Sequence, residues 1–364
     1  MRIPLFPSPT MAWYVGKAFL IRTFAVMALL IVVLQALDLL GESGKIFAVP
    51  GNGMPELMTY IGLRVPQLIA RFLPFSVLLG TLITLSTLNQ NSEVVSMKAA
   101  GMSTHQVLAP LLLGGLLVAI ISFGFNERVV ARANATLDAW QKVDYAKVPP
   151  DPGFKTNVWV RDGGNLIHAG VVRGTAPNIT LSDITVYDRT SGTLDYLIKA
   201  QTAQSSANGW RILDAERFDA RTGVATKLGT IETAKGVKPE QFTLANVDGD
   251  ELAFGPLSRA IDQLKAAGRP TQALEGTLWH KVSGPLSALL MPLLGAVAGF
   301  GLARSGKLFV RAVIGMALGF AYFVADNFAI AMGNLGAYPP WLAAWGPFFL
   351  FLIIGELVLL RTEE

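Results

Sequence analysis

Charged side chains inside apolar segments are the residues of this chain most able to do chemistry. Asp38, Arg64, Arg71, Asp326 and Glu356 each lie within or near the end of a long apolar run. An Asp or Arg at the centre of a bilayer costs about 2.5–3.5 kcal/mol on insertion scales, so such residues usually pair with one another or serve a function. Ion pairing and the binding of a charged ligand both remain open for these residues.

Basic residues gather near one predicted membrane surface. Arg64 and Arg71 are seven positions apart, which places them on one face of a helix. Such a set is typical of a site that holds an anionic lipid headgroup. The predicted basic rim comprises Lys45, Arg64, Arg71, Arg128 and Arg132.

Several enzyme classes find no support in the sequence. The chain has no cysteine, and its three histidines (His105, His168 and His280) are too far apart for metal-ligand spacing. No serine occupies a Gly-x-Ser-x-Gly elbow. Residues 301–307 (GLARSGK) match a phosphate loop, but Leu308 replaces the magnesium-binding Ser or Thr and no strand precedes the motif. We therefore predict no catalytic residue, no metal site and no bound cofactor on this chain.

The apolar runs predict a membrane protein. Of the 364 residues, 52% are hydrophobic and 15% are charged, which is more apolar material than one soluble core needs. A helix of about 20 residues crosses about 30 Å of hydrocarbon. We expect six membrane-spanning helices in two groups of three, at residues 13–40, 57–88, 107–125, 282–303, 308–333 and 341–360.

Lysines and arginines in the short loops predict the orientation. They flank the first span and fill the loop after the fourth, whereas residues 333–340 carry no charge. We expect both termini to be cytoplasmic, and we expect the first apolar run to be a true span because it is too long for a cleaved signal peptide. The cations that set this orientation are Arg2, Lys17, Arg22, Arg304, Lys307 and Arg311.

The central block, residues 126–277, is polar and predicts a separate domain. It holds eighteen basic and eighteen acidic residues, and the whole chain has a net charge of only +4, which argues against a nucleic-acid partner. Short β-branched and aromatic segments separated by glycine turns predict an antiparallel sandwich or jelly roll. The expected strands are 157–161, 166–172, 179–187, 194–200, 210–218 and 225–232, with a helix at 256–267.

The loop between the second and third spans, residues 89–104, predicts a short helix parallel to the membrane. Glu93 lies in its first turn, Val94 and Met97 offer apolar contacts, and Gly101 provides a stop. Such a helix would form a docking site for a cytoplasmic partner. An ordinary interfacial connector is the alternative.

Several segments closely resemble the LptF/LptG (YjgP/YjgQ) permease family, which forms the membrane core of the bacterial lipopolysaccharide export transporter. The similarity extends over nearly the whole chain, and residues 159–172 and 322–329 favour the LptG branch. The segments that carry it are 71–90 (RFLPFSVLLGTLITLSTLNQ), 92–103 (SEVVSMKAAGMS), 159–172 (WVRDGGNLIHAGVV), 257–268 (LSRAIDQLKAAG) and 322–329 (YFVADNFA).

The resemblance implies a membrane α-helical fold of six transmembrane helices with an inserted periplasmic all-β jelly-roll domain, in the bacterial inner membrane. It assigns residues 1–125 to the first three helices, 126–277 to the β domain with its connecting helices, and 278–364 to the last three helices. If the jelly roll is open along one edge, the inner-face residues of its strands, for example Trp159, Ile167 and Val186, would line an apolar groove for lipid. In a closed sandwich the same residues would form the core.

The resemblance also implies partners and residue roles. The expected partners are an LptF-like permease, an LptB-like ATPase dimer that carries ATP and magnesium, an LptC-like protein and an LptA-like bridge, with lipopolysaccharide as the substrate. Residues 92–102 match the family's coupling helix, so Glu93, Val94, Met97 and Gly101 are the expected ATPase-coupling residues. Asp38 and Asp326 lie on the helices that form the lateral gate.

Three other functions fit parts of the sequence. An ATPase-coupled exporter of a lipoprotein or another glycolipid would share the same architecture. A membrane-bound lipid-modifying enzyme would use Asp326, Glu356 or His280 as its acid or base, and a scaffold would use the β domain alone to bind a partner. Subunits, lipids and products that accompany the purified protein distinguish these functions.

Overall fold

The computed structural model describes residues 8–146, 154–162, 164–175, 178–189, 193–206, 209–220, 222–233, 237–243, 248–266, 269–301 and 308–363. Contacts divide the chain into two compact units: the first comprises residues 1–146, 249–257 and 272–364, and the second comprises residues 147–248 and 258–271.

The first unit is a helical bundle, to which a further helix, α7 (Phe254–Ala266), contributes its first residues. Its other helices are α1 (Pro9–Ala48), α2 (Met54–Gln90), α3 (Glu93–Ala99), α4 (Thr104–Phe125), α5 (Ala131–Gln141), α8 (Gln272–Gly301), α9 (Leu308–Asn334) and α10 (Pro340–Glu363).

Local sequence sets the helix starts. Ser8 caps α1 by accepting a hydrogen bond from the Met11 amide at 3.4 Å, and Pro9 occupies the first turn, where its missing amide hydrogen costs nothing. Ser103 and Gln106 form a reciprocal capping box at the start of α4. These caps separate α3 from α4 and so place a short independent helix between two long ones.

Close packing joins the long helices. α2 and α8 lie at the centre, with α1 packed on α2, and α4 and α10 packed on α8. A Cβ at Gly80 would lie 2.9 Å from the Thr23 Cα, and one at Gly115 would lie 2.6 Å from the Ala288 carbonyl oxygen. Only glycine therefore lets these backbones approach so closely, as is usual for helices in membranes.

Five helical segments of the described chain are long and apolar enough to cross a membrane, and this confirms a membrane α-helical protein. The fourth run expected from the sequence, residues 282–303, falls largely within α8, a helix of 30 residues, so the count of six crossings stays a prediction. The five segments are Pro9–Ala48, Met54–Gln90, Thr104–Gln141, Val313–Asn334 and Pro340–Arg361.

The third long helix continues past the predicted domain boundary. A five-residue π-helical turn, Asn126–Val130, joins α4 directly to α5, and α5 packs against α2. By its contacts, the chain up to residue 146 belongs to the first unit. The assignment of residues 126–277 to the β domain with its connecting helices stays a prediction.

The inserted unit contains one antiparallel sheet of six strands in sequential order, which confirms the predicted all-β insertion. All six predicted strands occur, and each begins within three residues of its expected start. Each also ends within three residues of its expected end, apart from β4, which continues to Ser206. A short helix, α6 (Pro239–Thr243), follows the last strand. The strands are β1 (Phe154–Asp162), β2 (Asn165–Thr175), β3 (Asn178–Asp188), β4 (Tyr196–Ser206), β5 (Gly209–Asp219) and β6 (Ala225–Thr233).

Apolar side chains from β1 to β5 cover one face of the sheet, which we call the inner face. On β3 the buried positions are Ile179 and Leu181, then Ile184 and Val186, so the alternation shifts by one residue at Asp183, whose φ is 53°. β5 has a comparable shift next to Asp214, whose φ is 52°. Such bulges bend strands and raise their twist, so they keep the apolar side chains on one face of a bent sheet.

The inner face contains two of the three residues proposed for the groove. Ile167 and Val186 are buried there, with 2% and 5% exposure. Trp159 is 44% exposed, and its neighbours in sequence, Val158 and Val160, are the buried residues of that strand. Trp159 therefore lies on the opposite face, where it stacks on Tyr187 with ring centroids 5.6 Å apart, and its assignment to the groove is wrong.

Candidate functional site

Two groups of polar residues lie at opposite ends of α2, and α3 adjoins one of them. The helix α3 has only seven residues, and its ends are fixed by backbone geometry. Gly101 adopts a φ of 88°, the Met102 amide donates to the Met97 carbonyl, and the Gly101 amide donates to the Lys98 carbonyl. This is a Schellman motif, so Gly101 ends the helix as the sequence predicted, and it does so because glycine tolerates positive φ.

One face of α3 packs into the bundle. Val94 is 4% exposed and belongs to the main core, and Met97 packs partly buried against it. Val95 is 65% exposed on the opposite face. Val94 therefore fixes the position of α3 on the bundle.

Side chains from three other segments hold α3 and its flanks. The Tyr14 hydroxyl on α1 donates to Glu93 Oε1 at 3.3 Å, and Asn91 Nδ2 donates to the same oxygen at 3.2 Å. The Lys98 ammonium lies 5.4 Å from the centre of the Phe300 ring on α8. The helix is thus tied to α1 and α8, while Glu93 Oε2 makes no hydrogen bond among the described residues.

A second polar group lies near the other end of α2. Arg64 donates to Asp38 Oδ1 through Nη2 at 2.9 Å and Nε at 3.1 Å, and through Nη1 to Gln67 at 2.7 Å. The Tyr60 hydroxyl donates to the other Asp38 oxygen at 2.6 Å. Both carboxylate oxygens of Asp38 are therefore satisfied by α2, and the Arg64 charge is neutralised by α1.

A neighbouring network fastens the segment that leads to the sheet. Tyr145 donates to Glu42 at 2.7 Å, and Glu42 accepts from Lys45 at 2.8 Å. Asn52, between α1 and α2, donates to the backbone carbonyls of both Ile46 and Tyr145. Burial, aided by the bond to Glu42, raises the pKa of Tyr145 to about 12, so this hydroxyl stays a donor at neutral pH.

These pairings divide the predicted basic rim. Lys45 and Arg64 each have a carboxylate partner. Arg71 on α2, Arg128 in the π-helical turn and Arg132 on α5 are exposed, and none of them forms an ion pair within the part of the chain that the structure describes. The three arginines lie on elements that pack against each other, since α2 contacts both the turn and α5.

Asp326 lies inside the bundle on α9. It is 9% exposed, and its Oδ2 lies 3.7 Å from His280 Nε2 on α8. A second histidine, His105 on α4, lies 3.2 Å from Glu356 on α10. Each histidine therefore joins two helices, and within the described residues no three His, Asp or Glu side chains are grouped as metal ligands.

Sequence reasoning missed the uncharged partners of these groups. Tyr14, Tyr60 and Tyr145 donate to the carboxylates, and Asn52 donates to the Ile46 and Tyr145 carbonyls. These contacts span up to 103 positions in the chain. A tyrosine at the end of an apolar run carries only a weak signal, because membrane-interface tyrosines are common. The residues beyond Gly301 in the GLARSGK segment lie outside the described residues.

Comparison with known proteins agrees with this architecture. The family described as lipopolysaccharide export system permease LptF/LptG matches residues 13–361. The lipopolysaccharide export system permease protein LptG of Escherichia coli K12 is 26% identical over 362 residues, which cover 96% of this chain and 98% of that protein. LptG of Haemophilus influenzae Rd is 24% identical over 368 residues, which cover 98% and 99%. The chain therefore belongs to the LptF/LptG family of lipopolysaccharide export system permeases and is of the LptG type.

Proposed function

We propose that this chain is the LptG-type subunit of an ATP-driven transporter that extracts lipopolysaccharide from the inner membrane and passes it to a periplasmic bridge. Its partners would be an LptF-like permease, an LptB-like ATPase dimer holding ATP and magnesium, and LptC-like and LptA-like proteins. Family membership over residues 13–361 supports the permease role. The observation that carries ATP coupling is the position of α3, which the bundle core holds on one face and leaves exposed on the other.

In this proposal the end of the bundle that contains α3 faces the cytoplasm. Tyr14 near the start of α1 contacts Glu93, and His105 at the start of α4 contacts Glu356 near the end of α10. The start of α1 and the end of α10 thus lie near the α3 end. Lys17 on α1 and Lys98 on α3, in the same region, agree with the preference of positive charges for the cytoplasmic side.

The exposed side of α3 would receive the movement of the ATPase. A short helix that is free to tilt would not transmit a movement of the ATPase to the bundle. α3 is fixed in the bundle by the burial of Val94 and by the contact of Lys98 with Phe300. A displacement of α3 is therefore passed to α8 and the core. Glu93 and Val95 are the residues that present a charge and an apolar side chain to the partner.

Arg71, Arg128 and Arg132 would hold the phosphates of the lipid. Arginine forms two parallel hydrogen bonds to phosphate, and a charge without a carboxylate partner is available for them. Lys45 and Arg64 are less suited because Glu42 and Asp38 occupy their donors. We therefore narrow the basic rim to these three arginines.

The lateral gate would lie along α1 and α9, whose exposed faces are apolar. Asp38 joins α1 to α2, and Asp326 joins α9 to α8, so each gate helix is fixed to a central helix by one carboxylate. The side chains left for lipid or the LptF-like partner, all about half exposed or more, are Leu29, Val32, Leu37, Phe320, Val324 and Phe328.

The first test is purification of the tagged chain from native membranes in mild detergent, with intact mass spectrometry of the subunits and lipids. We expect a second permease, two ATPase copies and a bound anionic glycolipid. Recovery of the chain without an ATPase would contradict the proposal and favour an enzyme or a scaffold. Recovery of a different bound lipid would support an exporter whose substrate is that lipid and not lipopolysaccharide.

The second test replaces Arg71, Arg128 and Arg132 together with Gln. We expect the amount of co-purified lipopolysaccharide to fall at least tenfold with the subunits still assembled, because three phosphate-binding cations are lost. The matched control replaces three exposed cations of the second unit with Gln, namely Arg211, Arg217 and Lys227 on β5 and β6. An equal loss of lipid in the control would show a general effect of charge and contradict the assigned site.

A further inference from the structure

The π-helical turn between α4 and α5 contains one of the three arginines proposed to hold lipid phosphates. Arg128 lies inside the turn, Asn126–Val130, and Arg132 is the second residue of α5. The Ala131 amide donates to the carbonyl five residues earlier, whereas an α-helical amide donates to the carbonyl four residues earlier. Such turns are rare and often lie at functional sites. The contacts that hold this turn therefore decide where Arg128 points.

Two side chains of the turn make short hydrogen bonds. Asn126 Nδ2 donates to the Ser122 carbonyl on α4 at 2.9 Å, and Glu127 Oε2 accepts from the Phe254 amide at 2.7 Å. Phe254 is the first residue of α7, so its amide hydrogen has no partner within its own helix. A carboxylate at a helix N-terminus is also favoured by the helix dipole. Glu127 thus holds the turn against a segment that comes 127 positions later in the chain.

The same segment also contacts α5. Asn134 Nδ2 donates to the Asp250 carbonyl at 3.1 Å, so Glu127 and Asn134 both face residues 250–254. Arg128 and Arg132, in contrast, are exposed. One side of the turn and of α5 therefore binds residues 250–254, and another side presents the two arginines.

The helices on either side of the turn are held by different parts of the core. Val118 and Ala119 of α4 belong to the main cluster of buried residues, whereas Leu137 and Trp140 of α5 belong to a separate cluster. A rearrangement would therefore affect the turn more than either helix. Relaxation of the turn into a regular α-helix would rotate its residues by up to about 100°, the angle between successive residues of an α-helix. Such a rotation would change the direction of Arg128.

We infer that Glu127 is a positioning residue for lipid binding. Its bond to the Phe254 amide keeps the π-helical turn in the form that directs Arg128 toward the lipid phosphates. The inference rests on the proposed function, which assigns the phosphates to Arg71, Arg128 and Arg132. Arginine binds phosphate through two parallel hydrogen bonds, so the strength of the contact depends on the direction of the guanidinium. Glu127 itself does not touch the lipid and acts through Arg128.

A double-mutant cycle tests this coupling. The full chain with its co-purifying subunits is placed in lipid nanodiscs, and the binding of radiolabelled rough lipopolysaccharide is measured without ATP. We expect Arg128→Gln and Glu127→Ala each to weaken binding about fivefold, and the double variant to bind no more weakly than either single variant. Glu127→Ala combined with Arg71→Gln should instead multiply the two losses, because Arg71 lies on α2 and does not depend on the turn.

Two further variants separate geometry from charge and from general loosening of the structure. Glu127→Gln keeps an oxygen that can accept from the Phe254 amide, and we expect its binding to stay within about twofold of the native protein. Asn134→Ala removes the other bond to residues 250–254 and should also stay within about twofold. Stronger binding in both Glu127 variants would mean that the charge repels the lipid. That result, or an Asn134→Ala loss equal to that of Glu127→Ala, would overturn the inference.

The donor of the bond offers an independent test if Glu127→Ala does not assemble. Phe254→Pro removes the amide hydrogen, and proline is well tolerated at the first position of a helix. Phe254→Ala keeps the amide and is the matched control. The inference predicts that Phe254→Pro weakens lipid binding and that Arg128→Gln then adds no further loss. Equal binding by Phe254→Pro and Phe254→Ala would overturn it.

The arginine variants separate failure of the inference from failure of the proposed function. If Arg128→Gln weakens binding but Glu127→Ala does not, or if their losses multiply, the positioning role is wrong and the phosphate site stands. If the joint replacement of Arg71, Arg128 and Arg132 leaves binding unchanged, the phosphate site is wrong and the positioning role fails with it.

Discussion

Charged side chains at the two ends of α2 differ in whether another helix neutralises them. Near its start, Asp38, Arg64, Glu42 and Lys45 form closed pairs, and tyrosine hydroxyls complete the carboxylate shells. Just past its end, α3 buries an apolar face and presents Glu93 at the surface. The comparison teaches that a charge in this bundle serves structure where a neighbouring helix neutralises it. A charge without such a partner is available for binding.

Removal of Arg64 should have the largest effect on stability. Arg64→Ala leaves Asp38 half-buried without its cation, and we expect the free energy of unfolding to fall by about 2–3 kcal/mol, less than for a fully buried pair because both side chains are partly exposed. Unfolding in mixed detergent micelles measures this loss. The double variant Arg64→Gln with Asp38→Asn should recover most of this loss of stability. If Arg64→Ala is as stable as the native chain, the pair does not contribute to stability.

Tyr60→Phe should have the next largest effect at this end. It removes a hydrogen bond to a carboxylate, for which we expect a loss of about 2 kcal/mol. The matched control is Tyr338→Phe, which removes a bond of similar length to the neutral carbonyl of Ala329 and should cost about 1 kcal/mol. Equal losses in the two variants would mean that the charge of Asp38 adds nothing to the Tyr60 bond.

Sequence patterns predicted the long elements well because their periodicities are local. Apolar runs located the long helices, and β-branched segments located all six strands. The predicted helix at 256–267 matches α7 within two residues. The continuous helix from α4 to α5 was not predicted, although its junction contains no proline or glycine that would indicate a break.

The roles of single residues were harder to predict, because a role depends on partners far away in the chain. Arg64 and Arg71 look alike in the sequence, yet only Arg64 meets a carboxylate, which lies 26 positions earlier. Trp159 was placed on the wrong face although β1 alternates evenly there, because alternation alone does not indicate which of the two faces is buried. On β3 the alternation itself shifts, at Asp183. A pattern of period two fails wherever a bulge changes the face.

At the α3 end, Val94→Ala should cost about 1.5 kcal/mol, because Val94 is buried in the bundle core and loses two carbon atoms. Val95→Ala, one position later and 65% exposed, is the matched control and should change stability by less than about 0.5 kcal/mol. The free energy of unfolding of the two variants is measured in the same mixed detergent micelles. A larger loss for Val95 than for Val94 would contradict the orientation of α3 described above.

Glu93→Ala should have the smallest effect on stability and the clearest effect on assembly. Glu93 has only long hydrogen bonds, at 3.3 and 3.2 Å, to exposed partners, so we expect unfolding to change by less than about 0.5 kcal/mol. The amount of ATPase that co-purifies should fall at least fivefold, because the carboxylate would be buried against a partner. Asp262→Ala, which removes an exposed carboxylate from α7, should leave co-purification unchanged. Normal assembly and export with Ala at position 93 would assign the docking contact to the apolar side chains of α3 alone, and the contrast between the two ends of α2 would then rest on burial and not on charge.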